Sequence, residues 1–255
     1  MAHAAESLHW YTRKGETAYE VKGANGNMRP ATLRDARKIE LVPSVTSIIR
    51  CAAAPGLERW KQDQVLMAAL TLPRIEGEAE KAYIERILRD SKEQGRKAAE
   101  RGTAIHAAIQ GHYEGEPPAE EYWPHVRGAD KAVAEWMKGP WTAERSFACQ
   151  IGFGGKVDLS HNWAVADFKT KEFGPEDELK TWDEHAMQLS AYRVGLGTPN
   201  ARCAIVYVSA SNPGLAKLIE IPEEELKQGW KMFEALLAYW KAKNNLETGW
   251  MEKAA

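Results

Sequence analysis

The residues with the clearest chemical potential are Asp158, closing Gly154-Gly155-Lys156-Val157-Asp158, and Asp167 and Lys169 in Ala166-Asp167-Phe168-Lys169-Thr170-Lys171. Both runs carry strand-like residues, and Ser160-His161-Asn162 lies between them as a turn. Successive side chains of a strand point to opposite faces, so Asp167 and Lys169 share one. A two-residue loop at about 161–163 sets Asp158 opposite or diagonal to Asp167 on that same face. Two carboxylates with Cβ atoms roughly 5 Å apart repel. A proton on one, a cation between them or contact with bulk water relieves the repulsion. Val157, Leu159, Val165 and Phe168 are interleaved, so the hairpin reads as buried and water is the weakest of the three answers. The resulting expectation is a divalent-metal site with a lysine beside it.

Mg²⁺ takes oxygen ligands, keeps several waters and uses one or two carboxylates plus substrate phosphate. Such an ion orients a scissile phosphate, stabilises its developing charge and lowers the pKa of a bound water. Lys169 would position the attacking water or neutralise charge on the phosphorane, and the backbone carbonyl of Phe168 is a further oxygen donor. A D-x-K alone is most often a surface salt bridge; the glycine-rich strand carrying a second aspartate weighs against that. Gly154 and Gly155 leave bare backbone, as close approach of a phosphate or a β-bulge requires.

Other elements must bring further groups to this pair. Gly102 and His106 share a helix face, and a helical glycine costs about 1 kcal/mol relative to alanine, so close packing is expected there. His106 is either a hydrogen-bonded residue at the edge of a core or a nitrogen ligand, which Mn²⁺ accepts more readily than Mg²⁺. Gln188 and Tyr192, four apart on a helix, form an ordinary polar stripe or a substrate clamp that props the lysine. Glu144 begins the first of three strands and is a further candidate for the acidic cluster.

Organisation follows from the patterning of the 255 residues. Weak alternation predicts a hairpin over 8–21, a loop over 22–30 and a short helix over 32–38. Ser44 caps a helix over 45–53, and another follows over 57–72. From 78 to 112 the pattern is helical and charged, in two pieces divided near Asp90-Ser91, where Ser91 and Gln94 have capping-box spacing. A helix over 124–137 precedes strands at 142–151, 155–160 and 163–170, a helix over 182–195 and a strand over 203–210. A possible edge strand lies at 215–221. The closing helix, opened by Pro222, repeats Leu226, Trp230, Phe233, Leu237 and Trp240 at three-and-four spacing. This is an α/β core with a helical N-terminal elaboration, divided as 1–90 and 91–255.

At 27% charged residues and net charge −2, nucleic acid would have to be met through local basic patches. Three scattered cysteines (Cys51, Cys149, Cys203) make no disulfide framework or zinc knuckle, and they cannot supply a four-thiolate iron–sulfur cluster. The first ten residues lack the basic start and apolar run of a signal peptide, and no apolar run reaches membrane-spanning length, so a soluble cytoplasmic protein is expected.

In order, Gly102-x-x-x-His106, Gly155-x-x-Asp158, Asp167-Phe168-Lys169-Thr170 and Gln188-x-x-x-Tyr192 resemble the PD-(D/E)xK nuclease superfamily, most of all its RecB-like exonuclease branch. Pro43-Ser44-Val45-Thr46 and Leu57-Glu58-Arg59-Trp60-Lys61 are similar to segments of mitochondrial genome maintenance exonucleases and phage-encoded exonucleases. The resemblance spans roughly 43–192. It implies a core of helix, three strands, helix and strand, and Mg²⁺-dependent cleavage of DNA phosphodiesters, with phage or host recombination proteins as partners. It makes His106, Asp158 and Asp167 metal ligands, Lys169 the catalytic lysine, and Gln188 and Tyr192 the Q-x-x-x-Y pair. Glu144 matches the usual carboxylate near the first strand only loosely.

Arg86, Arg89, Lys92, Arg96, Lys97 and Arg101 lead toward His106, either as a solvated face interleaved with acids or as a phosphate-tracking ramp. Trp163, Trp230 and Trp240 fall at core spacings, which leaves Trp60, Trp123 and Trp182 as candidate base-stacking platforms. The leading expectation is an exonuclease acting on ends or single strands. A structure-selective or site-specific endonuclease and a non-catalytic DNA-binding module are the alternatives.

Overall fold

The computed structural model describes residues 9–52 and 55–250. Leu8, at the start of the expected hairpin, and Ala53, at the end of the second expected helix, lie outside them. The N-terminal part comprises β1 (Trp10–Tyr11), β2 (Glu20–Lys22), β3 (Met28–Pro30), α1 (Leu33–Ile39), β4 (Val42–Pro43) and α2 (Val45–Ile49). The expected first hairpin reduces to a tight turn at Gly15 (φ +86°) with a single bridge between Tyr11 and Thr17. β1 pairs instead with β4. Residues 22–30, expected as a loop, contain a hairpin in which β2 pairs with β3. Asn25-Gly26 is its turn, with Gly26 at φ +85°; an Asn-Gly pair is a strong hairpin signal, but the polar, largely exposed flanks hide the strands from periodicity. Thr32 and Asp35 form a capping box on α1, and the Ser44 hydroxyl accepts the Ser47 N–H (3.0 Å) at the start of α2.

α3 (Pro55–Thr71) and α4 (Glu80–Tyr113) follow as a helical arm. α4 is one unbroken helix of 34 residues, about 50 Å long at 1.5 Å per residue. The expected division at Asp90-Ser91 does not occur. A capping box needs a chain break, and the Ser91 hydroxyl instead donates back to the Leu88 carbonyl (3.1 Å) within the helix. The turn between the helices is held by Arg86, which donates to the Pro73 carbonyl (2.7 Å) and pairs with Glu78 (2.9 Å).

After α5 (Trp123–Trp136) come β5 (Thr142–Cys149), β6 (Phe153–His161), β7 (Ala164–Lys171), α6 (Asp183–Gly195), β8 (Arg202–Ser209), β9 (Ala216–Ile221) and α7 (Glu223–Asn244). The protein is thus mixed α/β, with seven α-helices and a five-stranded mixed sheet of order β5-β6-β7-β8-β9 among the described residues. Only β7 and β8 are parallel, and α6 provides their crossover.

Two cores sandwich the sheet. Phe147, Val157, Val165 and Ile205 pack with Leu189 of α6 and Phe233 of α7, and Trp10, Ala36, Val45 and Ile48 from the N-terminal part join the same core. On the other face Leu159, Phe168 and Val206 pack against Ile105 and Ile109 of α4 and Val126 of α5. Among the described residues no helix is long and apolar enough to cross a membrane.

Candidate metal centre

β6 and β7 are joined by a two-residue turn, Asn162-Trp163, one position later than the expected turn. Their register runs His161↔Ala164, Ser160↔Val165, Leu159↔Ala166, and one further step would set Asp158 opposite Asp167. The ladder stops before that step, and the strands part. The neighbouring pair β5–β6 is irregular at the same place: Glu144 would face Asp158, but the two drop out of the ladder. Glu144 has φ +52°, a left-handed conformation that side chains rarely adopt and that is often tied to function. On both strands the pleat inverts there. Val157 and Leu159, two apart, belong to opposite cores, as do Phe147 and Ala143.

Asp158 therefore does not share the face of Asp167, as simple alternation predicts; its carboxylate enters the split between β6 and β7. There Oδ2 accepts the Phe168 N–H (2.8 Å) and meets His106 Nε2 (3.0 Å). A strand residue turns its N–H and C=O to the same edge, so the Phe168 carbonyl faces this split as well. One donor atom each from His106, Glu144 and Asp158 lie within 4.8 Å of one another.

Asp167 and Lys169 do share a face, toward α6. Asp167 is only 2% exposed. Its Oδ1 accepts Gln188 Nε2 (2.7 Å), and its Oδ2 lies 2.5 Å from Lys169 Nζ. Apart from that ammonium, the buried Oδ2 has no partner. Gln188 ties the site together: its Oε1 accepts Lys169 Nζ (3.2 Å), and its Nε2 also donates to the Tyr192 hydroxyl (2.9 Å). Gln188 and Tyr192 are both buried, so they back the Asp167–Lys169 pair from within the core.

The electrostatics follow from burial. Burial, with Asp158 adding to it, pushes the Asp167 carboxyl up to about 6 against the opposing Lys169 cation. Burial also acts on Asp158, but His106, Lys169 and the Phe168 N–H outweigh it and hold that carboxyl below its usual value. The Asp158 hydrogen bond raises His106. The two aspartates are thus driven apart, as like charges sharing a site are. Among the described residues the group that could hold a metal ion is His106, Glu144 and Asp158; Asp167, ion-paired with Lys169, is not part of that cluster.

The other expected residues are distributed unevenly. Arg101 is exposed and makes no ion pair among the described residues; its charge acts on His125 instead. A Cβ on Gly102 would meet Thr170 at an ordinary 3.7 Å, so α4 does not require glycine there to approach β7. Gly154 and Gly155 are buried, not bare: a Cβ on Gly155 would sit 2.8 Å from the Phe147 ring and 3.0 Å from that of Tyr192. These glycines admit the protein's own aromatic rings. Trp163, expected in the core, occupies the β6–β7 turn and is 70% exposed. Trp60 and Trp182 are exposed, whereas Trp123 packs on His112 and Arg127.

Two residues at the site were not anticipated. Lys156 pairs with Glu144; its position two before Asp158 on one strand was the available signal. His185 Nδ1 accepts the Trp182 N–H (3.1 Å) at the start of α6. Burial, then the Lys169 and Lys171 cations, lower it to about 4. No family model matches the chain, and no curated protein matches it either.

Proposed function

We propose that the chain is a metal-dependent deoxyribonuclease with a PD-(D/E)xK core, akin to the RecB-like exonucleases, that hydrolyses DNA from ends or single strands in recombination, repair or replication. The observation that carries this reading is the meeting of Asp158, Asp167 and Lys169 with His106 at a split in the sheet. After α4 and α5, the order three antiparallel strands, crossover helix, parallel strand supports it, with α4 from residue 91 onward as the leading helix and residues before 91 as elaboration.

His106, Asp158 and Asp167, with the Phe168 carbonyl and Glu144, would hold Mg²⁺ or Mn²⁺. When bound, that ion supplies Lewis-acid activation of a phosphate oxygen and of water. Lys169, held by Asp167 and Gln188, presents an ammonium to the attacking water and to charge developing on the phosphate. Gln188 and Tyr192 position that ammonium from behind. Arg101 and the unpaired cations of α4 track the flanking phosphates. The setting is the cytoplasm, that of a host cell if the protein is phage-encoded, beside recombination proteins.

The test incubates linear, nicked and circular DNA with Mg²⁺ and repeats it with Lys169→Ala. Mononucleotides from linear DNA alone mark an exonuclease, and cut circles mark an endonuclease. Binding without turnover by the wild-type chain marks a DNA-binding module and sinks the catalytic reading.

A further inference from the structure

Glu144 is pulled two ways. It is held by an unusual backbone conformation (φ +52°) with its side chain about nine-tenths buried, and one of its oxygens lies within 4.8 Å of the donor atoms of His106 and Asp158. Its partner is nonetheless the ammonium of Lys156, which reaches across from β6 two residues before Asp158. The two members of this pair differ in freedom. Glu144 sits deep and on a fixed backbone, whereas Lys156 ends a flexible four-carbon stem with its side chain 36% exposed.

Resting on the nuclease reading above, we propose that Lys156 is a metal-responsive phosphate contact: it neutralises Glu144 in the metal-free chain and turns to substrate phosphate once Glu144 serves the metal. A divalent ion among His106, Glu144 and Asp158 sets two positive charges close to the ammonium. One carboxylate cannot neutralise both at full strength, so the partner on the longer, partly exposed stem gives way. In the metal-free chain Lys156 neutralises Glu144 and Lys169 neutralises Asp167, while Asp158 is hydrogen-bonded by His106 and the Phe168 N–H. Metal binding leaves the site with excess positive charge, which a phosphodiester anion offsets. Burial, Arg50 and Lys156 together hold the His9 imidazole of the N-terminal part below its usual value, so the charge of Lys156 is already felt on that side of the site. The consequence is coupling, in which the ion and the DNA strand each strengthen the binding of the other.

The experiment uses the full chain with Lys156→Met, and Lys156→Arg as a charge-keeping control. By calorimetry without DNA, Lys156→Met should bind Mn²⁺ about fivefold or more tighter than wild type, since removing a unit charge a few ångströms from a divalent ion has at least that effect even in water. A labelled single-stranded oligonucleotide is then titrated with and without Mn²⁺ in a Lys169→Met background, which keeps it intact. Adding Lys156→Met should remove most of the Mn²⁺-induced gain in affinity, and Lys156→Arg should restore it. A wild-type chain that takes up no Mn²⁺ overturns the nuclease reading and this inference with it. A wild-type chain that takes up Mn²⁺, beside a Lys156→Met chain of equal or weaker Mn²⁺ affinity or of undiminished Mn²⁺-induced gain, overturns this inference alone.

Discussion

Acids and bases meet in two regions of this molecule, the split between β6 and β7 and the outer face of α4, and the same residue types behave differently in each. On α4, Arg96 lies 2.6 Å from Glu93, and Lys97 lies 4.0 Å from the same carboxylate, all four side chains of the Glu93–Arg96–Lys97–Glu100 cluster being largely in water. Water and salt screen such pairs, and their loss is cheap. In the sheet, Asp167 is enclosed and Lys169 is partly exposed, both bind Gln188, and the Asp167 oxygen beside Lys169 has no partner but that ammonium. A buried charge can neither be ignored nor rehydrated. Short distance between opposite charges is therefore a poor guide to a site; burial with incomplete pairing is a better one.

The largest effect expected from that contrast is on turnover. Lys169→Ala and Asp167→Ala should each lower DNA cleavage at least about a thousandfold, measured as acid-soluble nucleotide released in Mg²⁺, with the far-ultraviolet circular dichroism spectrum unchanged. Rates within tenfold of wild type would mean that the enclosed cluster is only structural. His106→Ala should lose less, about 10- to 100-fold, and more in Mg²⁺ than in Mn²⁺. An equal loss in both metals removes the imidazole from the ligand set.

Glycines next sharpen the difference between an enclosed site and an open helix. Gly155→Ala forces a methyl group against Phe147 and Tyr192 and should cost about 1–3 kcal/mol of stability. Gly102→Ala meets only Thr170 at ordinary contact distance and should stabilise α4 by about 0.5–1 kcal/mol. Urea titration of both variants checks this; a Gly102→Ala chain less stable than wild type would show that α4 needs the glycine after all.

Proton competition distinguishes the regions again. The folded value of Asp167, about 6, lies above its ordinary 3.8. Its contribution to stability is therefore complete below about pH 4 and is lost as pH rises through about 6. His185, lowered to about 4 from 6.5, runs the other way, its contribution present above 6.5 and lost as pH falls. The informative quantity is thus the increment in melting temperature on adding Mn²⁺, which on the proposed reading requires both Asp167 and His106 to be deprotonated. That increment should be small at pH 5 and larger at pH 7.5; an increment independent of pH removes both Asp167 and His106 from the metal site.

Much of this site is legible in the sequence because its parts are local. Asp167-x-Lys169 share a strand face and Gln188-x-x-x-Tyr192 a helix face by periodicity alone. The β5 to β9 succession is likewise marked by β-branched runs and turns. Asp158 and Glu144 were harder to place, because their convergence depends on a pleat inversion that no alternation rule encodes. Lys156 was hidden for the same reason: its partner lies across that irregular stretch. Gly154 and Gly155 misled in the opposite direction, since bare backbone in a sequence does not say whether a ligand or a protein side chain covers it. Asn25-Gly26 was readable and marks a hairpin, but its polar flanks concealed the strands.

The smallest effects belong to α4, and they test whether its outer face does anything beyond remaining solvated. Arg96 is already engaged by Glu93 and Glu100, whereas Arg89 and Lys92 are exposed and form no ion pair among the described residues. On the proposed nuclease reading, a phosphate-tracking role would fall to the latter two. Arg89→Gln and Lys92→Gln should leave the melting temperature unchanged, weaken oligonucleotide binding similarly for all sequences, and each lower the slope of log affinity against log salt by roughly one. Arg96→Gln should change that slope less, because its charge is already neutralised in the free protein. Equal slopes for all three variants and wild type would leave α4 as a solvated arm and remove it from the proposed DNA contacts.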